Sequence, residues 1–405
     1  MYRTAGLNFC CSLSWPLATV VLFMGVPHAF AAEEAHLSPN QVKVDLRYRL
    51  EHVDQDNLLE NAVASTLRTR VLAEKSAFSN VRLWIEVDHV ETLGGMGYND
   101  TVNGMESHSV VADPRGTDIN QAAVAYRTEI GELTAGRFRM NHLNQRFLGG
   151  VGWRQNEQTF DGLRFSRSTS SDFYVDVARI HRVNRIFGPK GPNAYERGAL
   201  YAGLVTFPLQ KNHHVGAFVY DFDFTDWNIR DSQTLGMNYH GSLNPFSVPI
   251  KLSVTFARQT DAHDQPLSFS HHYHRVSAEA ELKRKVHLEL GQERLAGDGL
   301  SAFQTPLATL HAFQGFTDLF LVTPHDGLRD TFSRLRFEAY AVNWGIGYHR
   351  FVSDRASRAY GDEWNLTLSY QLPQNVNVLF KYADYRAKTF AVDTRKTWLM
   401  LSYAF

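Results

Sequence analysis

Between Val42 and Glu51 the chain alternates at every step. Val42, Val44, Leu46, Tyr48 and Leu50 are apolar, and Lys43, Asp45, Arg47, Arg49 and Glu51 are charged. Successive side chains of a strand point to opposite faces, so this segment reads as a strand with one apolar and one charged face; a helix would mix the two on every side. The same grammar returns later. Val276, Ala278, Ala280 and Leu282 alternate with Arg275, Ser277, Glu279 and Glu281, and Trp364, Leu366, Leu368, Tyr370 and Leu372 alternate with Asn365, Thr367, Ser369 and Gln371. Followed along the chain, the alternation predicts roughly 18 strands, from 42–52 to 395–405, an even number that leaves both ends on one side.

A soluble sandwich or propeller also alternates, with its apolar face in a core. These runs, however, reach about ten residues, the length that crosses a bilayer at a tilt, rather than the five or six usual in soluble sheets. No stretch after residue 31 reaches the ~18 unbroken apolar residues of a membrane helix. The membrane architecture that hides hydrophobicity in alternation is the closed barrel, so the expected fold is all-β, a closed antiparallel transmembrane β-barrel. Phe207, Phe224, Phe351, Tyr385 and Phe405 fall near strand ends, where interfacial girdles are expected.

The connections fall into two classes. Glu129-Ile130-Gly131-Glu132, Leu209-Gln210-Lys211-Asn212 and Pro373-Gln374-Asn375 are short, whereas 92–118, 141–158, 184–197 and 297–330 are long. Short and long largely take turns, as when short turns face the periplasm and long loops the exterior. The 297–330 segment is apolar for a loop (Leu307, Leu310, Phe313, Phe316, Leu319, Phe320) and is expected to pack into the lumen as a constriction or lid.

Residues 1–31 read as a cleaved export signal: Arg3, an apolar run from Leu17 to Val26, then Ala29-Phe30-Ala31. Residues 32–405 are then a single barrel domain. Cys10 and Cys11 lie inside the signal, which leaves no disulfide framework and no thiolate metal site. Basic and acidic residues nearly balance, 41 against 42, which argues against nucleic acid as a partner. At the other end, Leu399, Leu401, Tyr403 and Phe405 share one face. This ending resembles the assembly signal of outer-membrane barrels, and implies the barrel assembly machinery and outer-membrane lipid as partners.

Two regions resemble the alginate export family of bacterial outer-membrane barrels. The first contains Gly136-Arg137-Phe138-Arg139, Asn144-Gln145-Arg146-Phe147 and Gly152-Trp153-Arg154-Gln155-Asn156-Glu157-Gln158-Thr159-Phe160-Asp161-Gly162. The second contains Thr305-Pro306-Leu307-Ala308-Thr309-Leu310-His311-Ala312-Phe313, then Asp318 and Thr323-Pro324-His325-Asp326-Gly327-Leu328-Arg329-Asp330. The resemblance implies an eighteen-stranded barrel that passes an anionic polysaccharide outward through an arginine-rich lumen. One departure is plain. The late connection that is a long periplasmic loop in exporters of this kind is here only Pro373-Gln374-Asn375.

A pore selects through the charges that ring it. Arg47, Arg49, Arg68, Arg70, Arg137, Arg139, Arg334, Arg336 and Lys381 are the expected pore-lining cations, since guanidinium forks suit the carboxylates of a uronate saccharide. The alternative is that they pair with lumen acids and brace the wall. Glu279, Glu281, Glu289 and Glu293 are expected to form an acidic arc opposite the arginine-rich opening strands, with a transverse field between the two. Arg146, Arg154 and Gln155, in a loop folding toward the mouth, either bind solute or pin the loop, and pinning is favoured.

Other signals carry little. His271, His272 and His274, or Asp221, Asp223 and Asp226, lack a ligand signature, so neither metal nor cofactor is expected. No nucleophile elbow, zinc-protease or phosphate-loop motif is present, so an enzyme is the least favoured reading. The expected function is passive passage of an anionic polysaccharide or oligosaccharide, with a porin for small polar nutrients as the alternative.

Overall fold

The computed structural model describes residues 40–405 apart from 96, 170, 171, 246, 247 and 284. The export signal expected at 1–31 lies outside the described residues. All the predicted strands are present. They are β1 (Gln41–Gln55), β2 (Ala62–Phe78), β3 (Val81–Thr92), β4 (Gly116–Thr128), β5 (Gly131–Phe138) and β6 (Thr159–Ser168). Next come β7 (Tyr174–Asn184), β8 (Tyr195–Gln210), β9 (His213–Phe224), β10 (Ser232–Leu243), β11 (Ile250–Asp261) and β12 (Ser270–Lys283). The last are β13 (Val286–Leu295), β14 (Leu328–Ala339), β15 (Val342–Val352), β16 (Ala359–Gln371), β17 (Asn377–Ala387) and β18 (Thr394–Ala404). Each pairs antiparallel with its neighbour in sequence, and β1 also pairs with β18, with Leu50 opposite Leu399. The 18-stranded sheet therefore closes and leaves no edge.

The outer face shows why this sequence needs a membrane. On β8 the outward row is Tyr201, Gly203, Val205, Phe207 and Leu209; on β15 it is Val342, Trp344, Ile346 and Tyr348. The β8 row rises about 20 Å at ~3.3 Å per residue and ~40° tilt, close to the ~25 Å apolar band of an outer-membrane barrel. Above it, toward the long loops, charges begin. Arg350 follows Tyr348 on β15, Arg258 follows Phe256 on β11, and Asp221 follows Val219 on β9.

The inner face is not uniformly polar, although the family resemblance implies an arginine-rich lumen. Ile180 on β7, Leu200, Ala202 and Leu204 on β8, and Phe218, Tyr220, Phe222 and Phe224 on β9 are all buried within the barrel. Phe224, Phe351 and Tyr385 are likewise inward and at most 2% exposed, not lipid-facing girdle residues; of the expected girdle, Phe207 and Phe405 do face out. The reason is that loops fill this part of the lumen, and their apolar side chains need an apolar wall. Phe147 packs on Phe218 at 4.7 Å and Tyr273 at 5.1 Å, and Phe320 packs on Phe351 at 4.6 Å.

Candidate functional site: the loop-filled lumen

Three long connections, 93–115, 139–158 and 296–327, turn inward rather than outward. Their buried residues include Tyr98, Val111 and Asp113 in the first, Phe147, Trp153 and Gln155 in the second, and Phe303, Leu307, His311 and Phe320 in the third. The 296–327 segment thus packs into the lumen as its apolar composition predicted. The loops also hold one another. Gly149 N–H donates to Leu307 O at 2.9 Å, Thr309 N–H to Gln145 O at 3.0 Å, and Gln155 N–H to Asp113 Oδ1 at 2.8 Å.

Charged groups on the wall fasten this plug. Arg47 donates to Gln155 Oε1 at 2.9 Å, to Gly152 O at 2.8 Å and to Arg154 O, so it grips loop 139–158 through neutral acceptors. Arg49 meets Asp113 at 2.9 Å and Trp153 O at 2.5 Å, and its guanidinium lies 4.1 Å over the Trp153 ring. Arg70 meets Asp88 at 2.6 Å and the loop carboxylate Glu157 at 3.0 Å. Arg139, just past the end of β5, bonds Glu157 at 2.5 Å and Glu86 at 2.9 Å. Arg68 pairs with Asp45 of β1.

Lys381 on β17 sits in an aromatic cage, 3.3 Å from the centre of the Phe316 ring and 4.2 Å from that of Trp153. Its ammonium donates to His311 Nε2 at 2.7 Å, and His311 Nδ1 contacts Asp318 at 2.8 Å. His311 stacks flat on Trp153, 4.2 Å between centroids. Trp153 is thereby wedged between β1, β17 and loop 296–327.

The loop residues favoured as pins make wall contacts. Arg146 bonds Glu293 of β13 at 2.6 Å and Thr305 at 2.9 Å. Arg154 bonds Glu51 of β1 at 3.1 Å and Asp318 at 3.3 Å. Gln155 donates to Thr66 Oγ1 of β2 at 2.9 Å. Electrostatics in the loops follow from this pairing. Burial pushes the Glu157 carboxyl up, but the Arg139 and Arg70 guanidiniums outweigh it and hold the group well below the usual carboxylate range. Asp113 is held down against burial in the same way, by Arg49, Arg154 and the Gln155 N–H. For His311 burial wins over the attraction of Asp318, and its pKa is pushed down to about 3.

The sequence placed one pore-lining cation wrongly. Arg137 lies on the face of β5 that carries Leu133, 51% exposed, whereas Thr134 and Phe138 point inward. Arg137 bonds Asp161 at 2.7 Å and Ile119 O at 2.7 Å on the outer rim. Arg139 has the same parity as Arg137 but reaches inward, because β5 ends at Phe138 and the chain then bends into the lumen.

The acidic arc does sit opposite the opening strands, but most of it is locally neutralised. Glu279 pairs with Arg336, Glu289 with Arg275 at 3.1 Å and Arg334 at 3.6 Å, and Glu293 with Arg146. Glu281 lies exposed at the short-turn end of β12. Wall and loop acids likewise accompany the basic arc, so both arcs carry their own counter-charges and the expected transverse field is weakened. Asp113 and the aromatic cage around Lys381 were missed, and Asp318 entered only through the family resemblance, with no role. Asp113 and Asp318 lie in irregular loops, where no period reports direction, and the Asp113-Pro114 turn gave no charge signal of its own. Among the described residues no group of three or more His, Cys, Asp or Glu is placed to hold a metal.

Comparison with known proteins agrees with this architecture. No curated protein sequence matches the chain. In structure it resembles OccAB4 of Acinetobacter baumannii, with TM-score 0.72 and 11% identity over 91% of this chain and 98% of that one. OpdK, an outer membrane protein of Pseudomonas aeruginosa, superposes with TM-score 0.70 and 14% identity over 90% and 98%. OccK9 (OpdG) of the same organism gives 0.72 and 13% over 90% and 98%. OpdK has also been solved with vanillate, where the match scores 0.69. The protein is an eighteen-stranded β-barrel of the bacterial outer membrane, whose residues 38–183 match the alginate export family.

Proposed function

We propose that this barrel is a loop-gated channel for carboxylate-bearing saccharides. The observation that carries the reading is where the plug puts its own anions. Asp113 rests on Arg49, Glu157 on Arg70, and Asp318 lies 3.6 Å from Lys396 of β18. The wall therefore already binds carboxylates, in a depth-wise series, with two guanidiniums and an ammonium that a uronate or other organic acid would also satisfy. A solute carboxylate that takes the place of a loop carboxylate frees the loop and advances by one site. Several exchangeable contacts, none of them dominant, let a charged solute enter and leave.

The match of residues 38–183 to the alginate export family favours an oligomeric uronate as the solute. The three inward loops favour a second reading, a porin for small organic anions, because they narrow the path. The likeness to OpdK, solved with vanillate, supports that reading too. A length series separates the two. In planar bilayers, current block should be measured with mono-, tri- and longer uronates and with vanillate. Block that strengthens with chain length supports the saccharide channel. Block by vanillate and monomer alone supports the small-anion porin, and indifference to all of them sinks both.

A further inference from the structure

We propose that the outward arc of β11–β15 is a binding surface for the phosphates of the outer-leaflet glycolipid, lipid A. At the upper edge of the apolar band these strands present Arg258, His272, His274, Arg294, Arg329 and Arg350. The groups are contiguous. Arg258 is the register partner of His272, and His274, Arg294 and Arg329 follow one another across β12, β13 and β14. At ~4.8 Å per strand the arc is about 20 Å wide.

No outward position on these five strands is Asp or Glu. From a loop, Asp354 grips Arg294 at 2.5 and 2.8 Å. Arg258 and Arg329 have only neutral side-chain partners, Ser270 at 3.0 Å and Ser357 at 3.0 Å. Asp362, beside Arg350 in the register, is occupied by Lys388 and by the Tyr348 hydroxyl at 2.9 Å. The adjoining arc differs in kind: there Asp54, Asp384 and Asp393 answer Arg386 and Arg395.

The guanidiniums without a carboxylate partner, Arg258, Arg329 and Arg350, lie at headgroup height; Phe256 sits directly below Arg258, and with Val276 and Leu290 on the next two strands it faces lipid, 56, 43 and 54% exposed. A partner that fits must join anionic headgroups to acyl chains and reach the barrel from the exterior leaflet. A bisphosphorylated glycolipid meets all three demands, and guanidinium–phosphate pairing gives the contact geometric specificity.

The test uses the full barrel in nanodiscs of phosphatidylethanolamine with either lipid A or its dephosphorylated form, and counts bound lipid by native mass spectrometry. Wild type should retain the phosphorylated form at least tenfold better. The R258Q/R329Q/R350Q variant should lose that preference, and R386Q/R395Q, in the ion-paired arc, should keep it. Equal retention of the two forms by wild type overturns the proposal without recourse to any variant. So does an unchanged preference in the triple variant, or an equal loss in the R386Q/R395Q control, with heat-modifiable migration showing each barrel folded.

Discussion

Replacing Trp153 by alanine should open the channel while leaving the barrel intact. Trp153 is 2% exposed and touches His311, Trp398, Arg49 and Lys381, so the indole joins loop 139–158 to β1, β17, β18 and loop 296–327 at once. Truncating a buried Trp costs about 3–5 kcal/mol, and removing each cation–π interaction adds about 0.5–2 kcal/mol where the pair is desolvated. Neighbouring side chains collapse in part into the space, so the lower end, about 3 kcal/mol, is the safer figure. At ~1.4 kcal/mol per tenfold, the ratio of displaced to docked loop rises by about two orders of magnitude. The strand ladders do not depend on the indole and should keep their stability. The assay is single-channel recording of wild type and Trp153→Ala in planar bilayers, with heat-modifiable migration as the folding control. Longer and larger openings in the folded variant are expected. Unchanged conductance and open time in a folded variant would refute the claim that this loop closes the lumen.

Further outcomes follow from the same residues. Glu157→Gln removes the anion shared by Arg70 and Arg139; docking should weaken by about 3 kcal/mol as for a broken buried pair, and the reversal potential should shift toward anions. Arg47→Glu sets a carboxylate against Gln155 Oε1 and two carbonyls, so it should raise open time and reduce anion preference together, read from the same recordings. Acid should also open the channel. His311 has its pKa pushed below the ordinary 6.5 to about 3, so its contribution to docking is full above pH 6.5 and is lost as pH falls toward 3. By pH 5 the loss is about 2 kcal/mol, and Glu157, held low, adds its own loss only below about pH 4. Open probability measured from pH 7 to 4 should therefore rise before the carboxylates titrate, and His311→Gln should abolish that early rise. A flat profile in wild type would rule out His311 as the acid-sensitive group.

Much of the fold was legible because the lipid and the lumen impose a period of two. Arg47, Arg49 and Glu51 face inward as their alternation with Leu46, Tyr48 and Leu50 requires. The alternation lost its meaning where both faces are apolar. On β9, Phe218, Phe222 and Phe224 face in against loops while Val215 and Val219 face out, and hydropathy cannot say which row meets lipid. On short β5 the alternation was sound and was overridden by charge: Arg137 shares the face of outward Leu133 and Ala135, which places it outside the lumen. The loop pins Arg146, Arg154 and Gln155 were readable as polar residues in an inward loop, whereas their partners, Glu293, Glu51 and Thr66, lie far away in the chain. Sequence supplies donors and acceptors; closure of the barrel decides which meet.

The most direct test of a carboxylate-accepting, loop-gated lumen is the zero-current potential of the wild-type channel across a tenfold potassium chloride gradient, recorded with and without an oligouronate. An anion-selective potential that collapses toward zero as the oligouronate occupies the pore is the predicted result. A cation-selective or unselective pore, indifferent to the oligouronate, would contradict it.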